Sequence, residues 1–151
     1  MGSTEAAKGY TLPSSRPWLT SGVSSASEDP YILKHYGELW VDLQAAEALA
    51  DKAAEVTQIA WEQEWNLTAE LRGECAIAIA TAKVAATRTG LDVTNRIFEV
   101  MGARSTHSQY GFDRYWRNLR TFTLHDPLDY KLQDIGNWAL NHEFPQPNFY
   151  S

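Results

Sequence analysis

A chain of 151 residues has the length of a single domain. With 44% hydrophobic residues, 12% aromatic residues and six tryptophans it can bury a core, which excludes wholesale disorder. A net charge of −6, from 13 basic and 19 acidic side chains with no concentrated basic face, argues against a nucleic-acid partner, and an anionic ligand would need a local cluster of Arg or His.

Residues 1–27 are rich in Gly, Ser, Thr and Pro and read as an extended N-terminal arm, within which Arg16-Pro17-Trp18-Leu19 is apolar enough to dock on a surface. Asp29-Pro30 then opens a long helix. The aspartate accepts a hydrogen bond from the first turn, and the proline has no N–H to leave unpaired. Leu33, Tyr36, Trp40, Leu43, Ala46 and Ala50 recur at steps of three and four and predict its buried stripe. At about 35 residues such a helix is roughly 50 Å long. After a break at Asn66-Leu67, Thr68 caps a second long helix crowded with Ala, Gly and Thr, which Gly102 stops. Its small residues predict packing on several sides, with Cys75, Ile79, Ala82, Ala86, Gly90, Val93 and Ile97 along one face.

A loop leads to an aromatic helix over 112–124, in which Arg114, Arg117 and Arg120 form a basic ridge suited to salt bridges with the acidic long helices. Asp126-Pro127 repeats the Asp29-Pro30 pairing and predicts a capped last helix ending near Asn141. Residues 143–151, with two prolines, read as an extended tail. The domain organisation is thus an arm (1–27), a bundle (28–142) and a tail (143–151). The fold class is all-α, an up-down bundle of long antiparallel helices. So elongated a bundle exposes apolar side chains, which predicts a homo-oligomer. No apolar run approaches the roughly 20 residues of a membrane span, and no signal-peptide core is present. The lone Cys75 cannot form an internal disulfide, so a cytoplasmic setting is expected.

Chemistry-bearing motifs are few. The four histidines are scattered, without metal-binding spacing, and there is neither a Gly-rich phosphate loop nor a Gly-x-Ser-x-Gly elbow, so no metal is expected. Two positions stand out. Arg104 is either a solvated loop residue or, with Ser105 and His107 nearby, an anion clamp suited to a phosphate. His125 is either the structural residue before a helix cap or a hydrogen-bonding group facing a pocket. Capping alone accounts for Asp126.

The run from Thr94 to Asn141, with FEVMGAR, DRYWRNLRT and LHDP in that order, resembles the C-terminal helical domain of flavin-dependent monooxygenases with the acyl-CoA dehydrogenase fold, the dibenzothiophene monooxygenases in particular. The similarity extends over residues 16–150. It implies a four-helix bundle through which two or four subunits pack. It implies FMN as cofactor, with Arg104, beside Gly102 in FEVMGAR, gripping the phosphate, and His125 beside the flavin ring supporting oxygen activation. In the acyl-CoA dehydrogenases proper the turn corresponding to LHDP supplies a glutamate base. The histidine here points instead to the monooxygenase branch and a small-molecule substrate. Phe122 stands where that branch has a second histidine. Complete members also have an N-terminal helical domain and a β-domain, which these 151 residues do not include, so a subunit carrying those parts is a possible partner. Two other readings stay open. One is a flavin-independent cyclase, isomerase or dehydratase using His125 and Asp126 as acid and base at a dimer interface lined by Tyr36, Trp40, Tyr115, Trp116 and Phe122. The other is a non-catalytic helical scaffold.

Overall fold

The computed structural model describes residues 1–148. Among these the chain is all-α: α1 (Gly2–Ser14), α2 (Pro30–Glu62), α3 (Ala69–Met101), α4 (Asp113–His125) and α5 (Leu128–Asn141), with single 3-10 turns at Ala26–Glu28, Glu64–Asn66 and Ala103–Thr106. The long helices begin and end where local chemistry directs. Asp29 Oδ1 accepts from the Tyr31 and Ile32 N–H groups at 2.9 and 3.4 Å, and Thr68 Oγ1 accepts from the Leu71 N–H at 3.2 Å. Gly102 ends α3 in the left-handed region at φ 79°, a conformation that favours glycine.

The first helix corrects the expectation of an extended arm. Gly2–Ser14 is helical although its Gly, Ser and Thr content disfavours helix. Tertiary burial overrides propensity: Ala7, Tyr10 and Thr11 are buried, the Thr11 hydroxyl donates to the Val100 carbonyl at 3.4 Å, and the Ser15 hydroxyl donates to Met101 O at 3.1 Å. Those two carbonyls lie in the last turn of α3, where no intrahelical donor reaches them. Of the expected tail, residues 143–148 form no helix, and 149–151 lie outside the described residues.

The chain divides into two compact units. The first joins Met1–Gln44 to Thr89–Phe122. Its core is Leu39, Val93, Ile97, Val100 and Met101, closed by Ala7, Tyr10 and Phe112. Tyr10 meets Tyr110 and Phe112 edge-on at 5.1 and 5.5 Å. The α2 and α3 segments run antiparallel here, since residues 35 and 38 pair with 99 and 96. Arg96 is the polar hub. It donates to Glu38 Oε2 (2.6 Å), His35 Nδ1 (3.1 Å), Asp92 Oδ2 (3.3 Å) and Glu99 Oε2 (3.3 Å). Leu119 of α4 rests against Gly90, where an added Cβ would stand 2.7 Å from its Cδ2.

The second unit joins Ala45–Arg88 to the chain from Thr123 onward. Here the α2 side chains that are buried are Ala46, Ala53 and Ala60, and those of α3 include Ile77, Ala80 and Val84. Phe144 lies over Gly73, where a Cβ would stand 2.3 Å from its ring, and stacks on Trp138 at 6.4 Å.

Of the stripe predicted for α2, Ala46 is buried and Tyr36 and Leu43 pack against the core, as expected, but the other positions differ. Leu39, Ala46, Ala53 and Ala60 step by seven, and Ile32 packs one step earlier, whereas Leu33 and Trp40 are more than half exposed. The prediction followed the largest apolar side chains, but a helix packed closely on a small-residue neighbour buries the positions that fit. Truncating Leu39 (1% exposed) to Ala should cost about 3 kcal/mol in chemical denaturation, and Trp40→Ala (59% exposed) under about 1 kcal/mol. Equal costs would contradict this packing. A second expectation concerns acid. Lys34 and then Arg96 hold the Glu38 carboxyl down at about 2, against an ordinary value of 4.5. The unfolded chain therefore takes up a proton that the folded one refuses, so this stabilisation is complete above about pH 4.5 and lost toward pH 2. The difference in thermal midpoint between the unsubstituted chain and Glu38→Gln should shrink over that interval; a pH-independent difference would show that Glu38 is not the titrating group.

Candidate functional site

Each sequence-predicted site residue lies near a helix end, where backbone groups lack intrahelical partners and side chains leave the helix surface. Arg104 follows the Gly102 stop in the 3-10 turn Ala103–Thr106, within the first unit, and His125 is the last residue of α4, within the second. Both are exposed.

Around Arg104 lies a hollow of about 240 Å³. Gly102 and Arg104 line it together with Ser14, the last residue of α1, and Ser15 and Arg16 just beyond. The expected companions of Arg104 do not face it. Ser105 is buried and its hydroxyl donates to the Gly102 carbonyl at 2.7 Å, while His107 Nδ1 accepts from the Gln109 N–H at 3.3 Å and does not line the hollow. Local geometry explains both: the Ser105 hydroxyl folds back onto a carbonyl at the start of its own turn, and the His107 ring nitrogen is taken by a backbone N–H two residues on. The second guanidinium is Arg16, which the sequence reading placed in an apolar docking segment and assigned no chemistry. The signal was present in Arg16-Pro17, directly after a Ser-Ser pair, but nothing local shows that α1 delivers it to the end of α3.

Tyr10 also lines this hollow, and its buried hydroxyl has no hydrogen-bond partner in good geometry among the described residues. Burial, and then the neighbouring Tyr110, push its pKa up, so it stays a neutral hydroxyl. Glu99 lies on the rim, but its carboxylate is turned to Arg96 and His35. Two guanidiniums, the Ser14 hydroxyl and the Tyr10 phenol make a donor set suited to an anion the size of a phosphate group, the Ser15 hydroxyl being committed to Met101 O.

His125 opens onto a different hollow, of about 460 Å³, together with Asp126, Tyr130, Lys131, Asp134 and Asn148. Asp126 does not do what its sequence context predicts. Helix α5 has Pro127 as its N-cap and no side-chain capping bond, so Asp126 stands one residue too early to cap it. Its carboxylate instead accepts from Lys83 Nζ in the middle of α3. That bond outweighs partial burial and lowers the Asp126 pKa, with Lys131 adding to the effect. Nor does the α4 ridge pair with the long helices as a whole. Arg117 bridges Asp113 within α4 at 3.1 Å, and Arg114 sits over the Tyr115 ring at 4.8 Å. Tyr36 and Trp40, proposed as pocket aromatics, border a small hollow with Thr4, Glu5 and Lys8 of α1. Among the described residues no group of three or more His, Cys, Asp or Glu side chains could hold a metal ion, and no helix is long and apolar enough to cross a membrane.

Nearly the whole chain is similar to known proteins. A probable FMNH2-dependent monooxygenase from Pseudomonas putida is 56% identical over 150 residues, 99% of this chain and 38% of the relative. A dibenzothiophene monooxygenase from Mycolicibacterium goodii is 51% identical over 99% of this chain and 36% of its own length. Among solved structures, methanesulfinate monooxygenase MsuC from Pseudomonas fluorescens matches with a TM-score of 0.97 at 56% identity, covering 99% of this chain and 39% of that one. The FMN-bound structure of TdsC from Paenibacillus sp. A11-2 matches with a TM-score of 0.94 at 48% identity, over 99% and 38%. The chain thus spans less than two-fifths of the relatives it matches and corresponds to their C-terminal part. The family described as acyl-CoA dehydrogenase, C-terminal domain, matches residues 12–130, most of the sequence, and the chain belongs to that family.

Proposed function

We propose that this chain contributes a phosphate-binding residue set and, separately, a histidine to an FMN-dependent monooxygenase, whose remaining parts belong to the regions that the longer relatives possess. The observation that carries the reading is the pair of guanidiniums, Arg16 and Arg104, on one hollow at the end of α3. A dianionic phosphate monoester held there would satisfy both and take a hydrogen bond from Ser14, in a hollow that Tyr10 also lines. Opposing the overall charge of −6 with a local positive site is what binding an anion here requires.

Reduced FMN, when bound, supplies the electrons with which one atom of dioxygen enters the substrate. The residues of this chain bind, orient and exchange protons. Arg104 and Arg16 anchor the phosphate end. His125 offers a ring nitrogen that can hold or pass a proton in its hollow. Phe122, at the position of the branch's second histidine, leaves one imidazole instead of two on the last turns of α4. Asp126, being tied to Lys83, orients its surroundings and does not act as a base. The substrate is a small molecule, and the setting is cytoplasmic. Trp61, Trp65 and Leu67, exposed around an apolar hollow at the α2–α3 turn, form a surface on which a second copy packs.

The test is a titration of the full chain with FMN, alone and together with the N-terminal part of a relative, with riboflavin as the phosphate-free control. FMN should bind more tightly than riboflavin. Arg104→Ala and Arg16→Ala should each weaken FMN by roughly ten- to a hundredfold, the loss of a charge-assisted contact, and leave riboflavin unchanged. Equal binding of FMN and riboflavin, or indifference of FMN to both substitutions, would overturn the proposal.

A further inference from the structure

The last residue of α4 and the N-cap of α5 are separated by one residue, Asp126. A carboxylate in such a link ordinarily caps the following helix. Here the first N–H groups of α5 receive no side-chain cap, and the carboxylate reaches across 43 positions of sequence to Lys83. Both side chains are largely buried, 19% exposed for Lys83 and 25% for Asp126, so the bond forms where water competes weakly. Lys131, buried in the first turns of α5, adds positive charge beside the same carboxylate. The single covalent link next to His125 is therefore anchored to the middle of α3, the most enclosed helix of its unit.

We propose that Lys83 is a positioning residue for His125: by holding Asp126 away from the α5 cap, it sets the backbone of the α4–α5 link and thereby the direction in which the imidazole enters its hollow. The proposal rests on the reading of His125 as the ligand-facing group, and goes beyond it by assigning a role to a lysine that touches neither the hollow nor a ligand. Loss of Lys83 would leave the Asp126 carboxylate without its hydrogen-bond donor, with only the charge of Lys131 beside it and the uncapped first turn of α5 open to it. The link would then rearrange toward the ordinary capped form and turn His125 with it.

The experiment uses the full chain with selectively labelled histidine. The imidazole resonances of His35, His107, His125 and His142 are followed by NMR, and His125 is assigned by His125→Gln. In Lys83→Met the His125 resonance should move or broaden, the other three should stay in place, and Lys83→Arg, which keeps the positive charge, should restore the original position. An unmoved His125 resonance overturns the proposal. So does a displacement shared equally by all four histidines, which would mark a general loss of structure. If Lys83→Met does not fold, Asp126→Asn, of the same shape but without the charge, decides the matter by the same criteria. Adding FMN to the unsubstituted chain separates the two claims. A His125 resonance that ignores FMN removes the flavin reading, whereas the response to Lys83→Met stands or falls by itself.

Discussion

Helix α3 can be packed as closely as it is only because its side chains are small. Gly73 admits the ring of Phe144 to within a distance that any Cβ would forbid, and Gly90 admits Leu119 in the same way. Ala80, Ala82, Thr87 and Thr94 keep the intervening surface low. Each glycine in a helix interior costs on the order of 1 kcal/mol in propensity. The close seating of an aromatic or a leucine offsets that cost through dispersion contacts and excluded water. The site residues depend on this seating. In the first unit the end of α3 presents Gly102 and Arg104, and in the second its middle presents Lys83.

The polar groups are arranged with a similar economy. Arg96 satisfies three carboxylates and a histidine in the first unit, and so engages the carboxylate of Glu99, which lies on the rim of the Arg104 hollow. In the second unit Lys83 takes Asp126 out of the helix cap. In both places one cation determines which neighbouring carboxylates are left to oppose a ligand. This is the sense in which function lives in a site and not in a helical fold.

Exposed aromatic residues complete the picture. Trp65 is fully exposed, and Trp18, Trp61 and Phe122 are each more than two-thirds so. Isolated apolar residues at a surface are ordinary, but tryptophans gathered at one turn are not.

Much of this was legible in the residues themselves. The two long helices, their Asp29 and Thr68 caps, the Gly102 stop and the all-α class follow from local rules that operate within four residues, and the resemblance singled out Arg104 and His125 as candidates. What the sequence could not disclose depends on residues far apart in the chain. It did not show that Gly2–Ser14 is helical, because that helix exists through contacts with Val100 and Met101. Arg16 stayed hidden because its partner position is 88 residues away. Asp126 was misread because Asp29-Pro30 and Asp126-Pro127 are locally alike. In the first the nearest donors are backbone N–H groups of its own helix, and in the second a lysine from another helix is closer. Local sequence determines where helices start, but tertiary structure decides which charged group each polar side chain finally meets, because those partners are brought together only when the helices pack.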